Sequence, residues 1–159
     1  VEDHAVVRAG LRQMLASMLG AEIREAADGE AAWAVIGAWR PDLVILDLTL
    51  PGQGGLALLP GLNKAGLRVL VLSMHGEPIY ATKALAAGAL GYVSKNASPD
   101  DLLAAIRVVS EGRRHIEPRI AQDIALQRID AGDRLHQLTP RDMEIMRLMA
   151  AGSSLSEIA

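Results

Sequence analysis

The 159-residue sequence contains no cysteine and no phenylalanine. The first absence excludes disulfides and thiolate metal centres. The second, with aromatic residues at only 3% of the chain, leaves Leu, Val, Ile, Ala and Met to build any core. No apolar stretch reaches the roughly 20 residues that a membrane-spanning helix requires. No signal-peptide pattern is visible either. A surplus of positive charge is also missing. The net charge is −3, carried by residues 1–112, while residues 113–159 are balanced. Neither part therefore has the basic excess of a complete nucleic-acid-binding surface. What is present is a chain that is 50% hydrophobic and 22% charged, the balance of a globular protein.

The most informative residues are carboxylates placed at the ends of apolar runs. Glu2 and Asp3 follow Val1, and Asp47 ends the run Leu43-Val44-Ile45-Leu46. Such runs read as buried parallel strands. Ligands of an open parallel sheet lie beyond the carboxyl ends of its strands, so the three acids are expected to share one cleft. Crowded carboxylates raise one another's pKa unless a cation joins them, and an all-oxygen site suits Mg²⁺. Ser73 ends a second run, Val69-Leu70-Val71-Leu72, and Lys95 follows a third, Gly91-Tyr92-Val93-Ser94. A hydroxyl, an ammonium and a divalent cation around one carboxylate make a site for a transferred phosphoryl group. The cations neutralise phosphoryl oxygens, the hydroxyl donates a hydrogen bond, and Asp47 is the nucleophile that becomes an acyl phosphate.

Strand-like runs alternate with helical stretches, which predicts an α/β fold. Helices are expected over 4–19, closed by Gly20, and from Asp28 as N-cap to about Trp39, with Pro41 beyond. Others are expected around 55–64, around 77–87 before Gly88, and from about 99 to 111, with Ser98 as N-cap, Pro99 in the first turn and Gly112 as the stop. Strands at 21–24, 43–46, 69–72 and 91–94, with one at the very start, give a five-stranded, doubly wound parallel sheet of flavodoxin-like order. At residue 113 the composition changes. Arg113-Arg114-His115-Ile116-Glu117-Pro118 reads as the start of a linker over 113–137, with a helix over 119–129 that Ala131-Gly132-Asp133 breaks. A new start signal follows at Leu138-Thr139-Pro140-Arg141-Asp142. Thr139 suits an N-cap, Pro140 the first helical position, and Asp142 the positive helix end.

Glu2-Asp3-His4, Asp47 with Leu50-Pro51-Gly52, Leu72-Ser73-Met74-His75 and Gly91-Tyr92-Val93-Ser94-Lys95 stand in an order and spacing that resemble a response-regulator receiver domain, over residues 1–112. The stretch 138–159 resembles the first half of a LuxR-type helix-turn-helix, an all-α unit whose later recognition helix enters the major groove and is absent from this sequence. Together the two resemble a regulator of the NarL/FixJ type. The resemblance implies that Asp47 is the phosphoryl acceptor, assisted by Ser73 and Lys95. It implies Mg²⁺ held by Glu2, Asp3, Asp47 and the backbone carbonyl of Thr49. Ser73 and Tyr92 would form the switch: Ser73 moves to the phosphoryl group and Tyr92 turns inward, changing the surface around 77–87 and 99–111. The implied partners are a sensor histidine kinase, promoter DNA through the recognition helix, and a second copy of the chain on activation. The implied setting is cytoplasmic, with no membrane partner and no enzymatic turnover. A receiver's first strand needs apolar residues ahead of Glu2, so the sequence is expected to begin inside that strand. His4 and His75 are read as residues at the cleft rim, since the soft ligands of a zinc site are missing.

Two other classes fit part of the pattern. A haloacid-dehalogenase-type enzyme also uses an Asp nucleophile with Mg²⁺, but places a second Asp two positions on, where this sequence has Thr49. A stand-alone receiver acting by protein contact would have no need of the capped helix pair over 138–159.

Overall fold

The apolar runs ending at Leu46, Ser73 and Ser94 lie side by side and parallel, as their unbroken hydrophobicity predicts. This computed structural model describes the backbone of residues 1–136 and the side-chain burial of residues 1–129. The helix pair expected over 138–159 lies outside the described residues. The chain divides into two units, Val1–Ala121 and Gln122–Ala159, and the sheet belongs to the first. Its strands are β1 (Leu43–Leu46), β2 (Arg68–Ser73), β3 (Gly91–Ser94) and β4 (His115–Ile116), in the order β1-β2-β3-β4. Leu46 pairs with Val71, Val71 with Tyr92, and Ser73 with Ser94. That register brings Asp47, Ser73 and Lys95 to one rim.

α1 (Ala5–Leu19) and α2 (Gly29–Ala38) precede β1, α3 (Gly54–Lys64), α4 (Pro78–Ala86) and α5 (Pro99–Ser110) run between the strands, and α6 (Pro118–His136) follows β4. Local chemistry sets their ends. Asp28 accepts a hydrogen bond from Ala31 N–H at 2.8 Å, and Ser98 accepts one from Asp101 N–H at 3.1 Å. Both satisfy amides that the first helical turn leaves unpaired. Gly20 closes α1 in the left-handed region at φ 59°, a conformation that costs glycine nothing.

Leu102, Leu103, Ala105, Ile106 and Val109 form the buried face of α5. They pack on Leu70, Leu72 and Val93 and on Leu15 of α1. Val69 and Val71, which alternate with these along β2, are buried too. They face the opposite layer of α3 and α4, where Leu59, Leu62, Ala81 and Ala84 are buried. Each fully buried aliphatic side chain contributes about 1.5–3 kcal/mol. An open cleft of about 800 Å³ lies between α1, α2, residues 21–26 and β1, with Leu11, Leu15, Ile23 and Val35 in its wall and charged side chains such as Arg24 and Glu25 among its lining.

Three expectations need correction. Neither the opening residues nor 21–24 forms a regular strand. Val1 donates to the Ile45 carbonyl at 2.6 Å and accepts from Asp47 N–H at 3.0 Å, while Glu2 N–H donates to the Ala26 carbonyl at 3.0 Å. The segments therefore lie in the expected order beside β1, but one bond from Glu2 is too little ladder to regularise 21–26. Second, His115 and Ile116, read as linker, form β4, with His115 N–H bonded to the Leu90 carbonyl at 3.0 Å. Gly112, at φ 79°, lets the chain reverse after α5. Third, α6 passes through Ala131-Gly132-Asp133 to His136. A single interior glycine costs only about 1 kcal/mol, too little to end a helix by itself.

The loop after β1 returns against its own strand through Gly55, whose N–H bonds the Leu48 carbonyl at 2.9 Å. A Cβ there would lie 1.9 Å from the Asp47 carbonyl oxygen and 2.8 Å from Leu48 Cα. Both obstacles are backbone, so Gly55→Ala should lower stability by about 1–3 kcal/mol in urea denaturation. Gly37→Ala, on an exposed turn of α2 with nothing within 4 Å, should instead raise it by up to about 1 kcal/mol.

Candidate functional site

Asp47 leaves the end of β1 and is buried almost completely, as is Glu2. The segment from Val1 to His4 is held beside it by the Val1 bonds described above and by Arg8 of α1. Arg8 Nη1 donates to the carbonyls of Glu2 at 2.7 Å and Asp3 at 3.1 Å. Lys95, one residue beyond β3, reaches back across the rim. Its Nζ lies 2.6 Å from Glu2 Oε2 and 2.8 Å from Asp47 Oδ2, with only 8% of the side chain exposed. Carboxylate oxygens of Glu2, Asp3 and Asp47, together with a ring nitrogen of His4, all lie within 4.8 Å of one another. His4 itself is mostly exposed, at the rim.

The remaining expected residues surround this cluster. Thr49 N–H donates to Asp47 Oδ1 at 3.1 Å and so fixes the carboxylate's orientation. Ser73 is fully buried. Its Oγ accepts from His75 N–H at 3.1 Å, and its carbonyl accepts from Lys95 N–H at 2.9 Å. Tyr92 is also fully buried, and its hydroxyl donates to the His75 carbonyl at 2.6 Å. The inward turn expected of Tyr92 on activation is therefore already made in this conformation. His75 stacks on Tyr80, with ring centroids 4.5 Å apart.

Three acids face one ammonium, and this imbalance governs the electrostatics. Burial by itself pushes the Lys95 ammonium down. The hydrogen bonds and negative charges of Asp47 and Glu2 outweigh it and raise the pKa above the ordinary lysine value. Lys95 therefore stays charged at any physiological pH. Burial also raises the Tyr92 phenol, partly offset by the nearby Ser73 hydroxyl, so Tyr92 remains a donor.

The donors present fit a hard divalent cation. Asp3 Oδ1 is buried without a hydrogen-bond partner, although His4 Nδ1 lies 3.0 Å away, off the bonding direction. A buried carboxylate oxygen left unpaired beside two others is what a cation would satisfy. The contributions of Arg8 and of Glu117, whose Oε2 accepts from Ser94 N–H at 2.8 Å, have no mark in the sequence pattern. Both side chains bind backbone atoms, which any residue offers.

A doubly wound domain with an acidic, lysine-bridged pocket at its strand ends is the architecture of a receiver. Residues 1–107 match the family model described as the response regulator receiver domain. The chain belongs to the response-regulator family. It is 35% identical to the response regulator UvrY of Escherichia coli K12, over 100% of this chain and 76% of that protein. It is also 35% identical to the transcriptional regulatory protein UhpA of Salmonella typhimurium, over 100% of this chain and 78% of that protein. Among solved structures, a LuxR-family two-component response regulator from Aurantimonas sp. superposes with a TM-score of 0.76 at 40% identity, covering 80% of this chain and 94% of that one. These likenesses place the chain with the NarL/FixJ type.

Asp3 adds negative charge beside Glu2 and Asp47, and Lys95 pairs with those two acids rather than with Asp3. In chelator, Asp3→Asn should therefore raise stability by about 1 kcal/mol, because it removes repulsion from a partly buried site. Thermal denaturation with added Mg²⁺ should stabilise the wild-type chain, and this gain should be absent in the variant.

Proposed function

We propose that this chain accepts a phosphoryl group on Asp47 from a sensor histidine kinase and regulates transcription accordingly. The carrying observation is the Lys95 ammonium bridging Glu2 and Asp47 in a buried pocket. An Asp carboxylate so placed is oriented, desolvated and next to the cation that its phosphorylated form needs. In the transfer, an Asp47 oxygen bonds to phosphorus while the bond from phosphorus to the kinase's imidazole nitrogen breaks, and the imidazole leaves neutral once protonated. Thr49 N–H holds Asp47 Oδ1, at 3.1 Å before the transfer. Lys95 follows the new negative charge from carboxylate to phosphoryl oxygen. Glu2, Asp3 and Asp47, with the Thr49 carbonyl, would hold Mg²⁺, which when bound neutralises carboxylate and phosphoryl oxygens together.

The readout begins at Ser73. Its hydroxyl leaves the His75 N–H and donates to the phosphoryl group. Because Tyr92 is already inward and bonded to the His75 carbonyl, the event is an exchange of partners around His75 rather than a swing of the ring. The loop into α4 carries that change outward, where Ile79 and Tyr80 are exposed. A shift in population at this surface favours pairing of two receivers, release of the DNA-binding unit, or both. The stretch 138–159 is the start of that unit, and promoter DNA is its partner. The relative named as a transcriptional regulatory protein and the LuxR-family structure support this part of the reading.

With acetyl phosphate and Mg²⁺, the wild-type chain should gain a single hydroxylamine-labile phosphoryl increment by intact mass, mapped to Asp47. Asp47→Asn should gain none, and chelator should abolish the gain in the wild type. Unchanged labelling of Asp47→Asn would refute the assignment.

A further inference from the structure

Glu117 stands between β4 and α6, and its three hydrogen bonds point in three directions. Its N–H donates to the Tyr92 carbonyl at 3.1 Å, and its carbonyl accepts from Ala121 N–H at 3.0 Å in the first turn of α6. In the ladder where Tyr92 pairs with Ile116, the next bond would run from Ser94 N–H to that same Glu117 carbonyl. The carbonyl has already turned into the helix. The side chain takes its place, and Oε2 accepts from Ser94 N–H at 2.8 Å. Asp28 and Ser98 use their side chains to cap their own helices, whereas Glu117 reaches across to a strand. A charged acceptor also makes a stronger bond than the carbonyl it replaces.

The amide it holds belongs to the residue before Lys95. From there the chain is fixed again by Lys95 N–H on the Ser73 carbonyl at 2.9 Å, and by Lys95 Nζ on Asp47 at 2.8 Å. Glu117, through its half-buried carboxylate and its own backbone, thus joins the root of Lys95 to the Tyr92 carbonyl and to the first turn of α6.

We propose that Glu117 is a positioning residue that holds the Val93–Ser94 peptide, at the root of Lys95, so that the ammonium rests on the phosphoryl acceptor, and that ties the state of Asp47 to the start of α6. This rests on Asp47 being the acceptor. When Lys95 moves toward a phosphoryl group, the Ser94 amide moves with it. The bond to Glu117 then either drags the first turn of α6 or breaks.

The test compares wild type, Glu117→Ala and Glu117→Gln in the full chain. Labelling by acetyl phosphate at saturating Mg²⁺ should slow roughly tenfold in Glu117→Ala, the scale of a small misplacement at a reacting centre. The donor concentration at half-saturation should not change. The Gln variant, which keeps an acceptor of equal length, should recover most of the rate. Amide hydrogen exchange should show Ser94 losing protection in the Ala variant. Beryllium fluoride should alter protection over residues 119–121 in wild type and Glu117→Gln, but not in Glu117→Ala. Wild-type labelling by Glu117→Ala, or an undiminished beryllium fluoride response in its α6, overturns the proposal. If the Ala variant does not fold, the Gln variant decides, since faster Ser94 exchange without slower labelling overturns it equally. A wild-type chain that takes no label on Asp47 would instead overturn the reading beneath it.

Discussion

Lys95 sets its ammonium 2.6 Å from Glu2 and 2.8 Å from Asp47, and those two ion pairs join chain segments that lie far apart in the sequence. A buried cation between two buried acids is costly to assemble and more costly to break. Removal of one member leaves an uncompensated charge, worth about 3–5 kcal/mol in comparable pairs. The geometry of the rim follows from keeping those charges together. The parallel register must bring the ends of β1 and β3 level, the Val1–Glu2 segment must lie flat beside β1, and the loop after β1 must turn back through Gly55. The same pairing also gives the site its responsiveness. Lys95 is bound by charge rather than by shape, so any new anion at Asp47 competes for it directly.

The layout of the site was largely legible because it is written in strand ends. A continuous apolar run followed by a polar residue marks where a buried parallel strand emerges, as at Asp47, Ser73 and Lys95. Parallel pairing then aligns such ends without further information. The helix boundaries were legible for a related reason, since Asp28, Ser98 and Gly20 act locally. Other features left no trace of that kind. β4 has two residues, too few to show any periodicity, and its existence depends on the partner β3 already offers. The strand expected over 21–24 found no regular ladder, since the Glu2 bond beside it goes to Ala26. The inward setting of Tyr92 is a choice between rotamers, decided by the His75 carbonyl and by the space beneath α4. Gly132 looked like a breaker because its penalty was weighed alone, whereas a helix answers to the sum over its length.

Backbone atoms do much of the connecting at this rim. Arg8 holds two carbonyls in the acidic segment, Thr49 offers its amide to Asp47, and both Ser73 and Tyr92 bind the main chain of His75. His75 is thus the shared partner of the two residues read as the switch. Neither can rearrange without changing the environment of the other, since the amide and the carbonyl belong to one residue. Coupling of this kind needs no long pathway, only one residue whose amide and carbonyl are both occupied.

The scarcity of aromatic residues noted at the outset has an experimental side. The chain has two tyrosines and two tryptophans and no phenylalanine. Trp33 and Trp39 belong to the α2 region, and Tyr80 is partly exposed. Tyr92 is the lone fully buried ring, set in aliphatic surroundings with its hydroxyl on a carbonyl. Resonance Raman excitation in the ultraviolet separates tyrosine ring modes from those of tryptophan, so the hydrogen-bond state of this phenol can be read in the native chain. The native chain carries a built-in optical probe on the residue that shares His75 with Ser73, and no label need be attached to watch it.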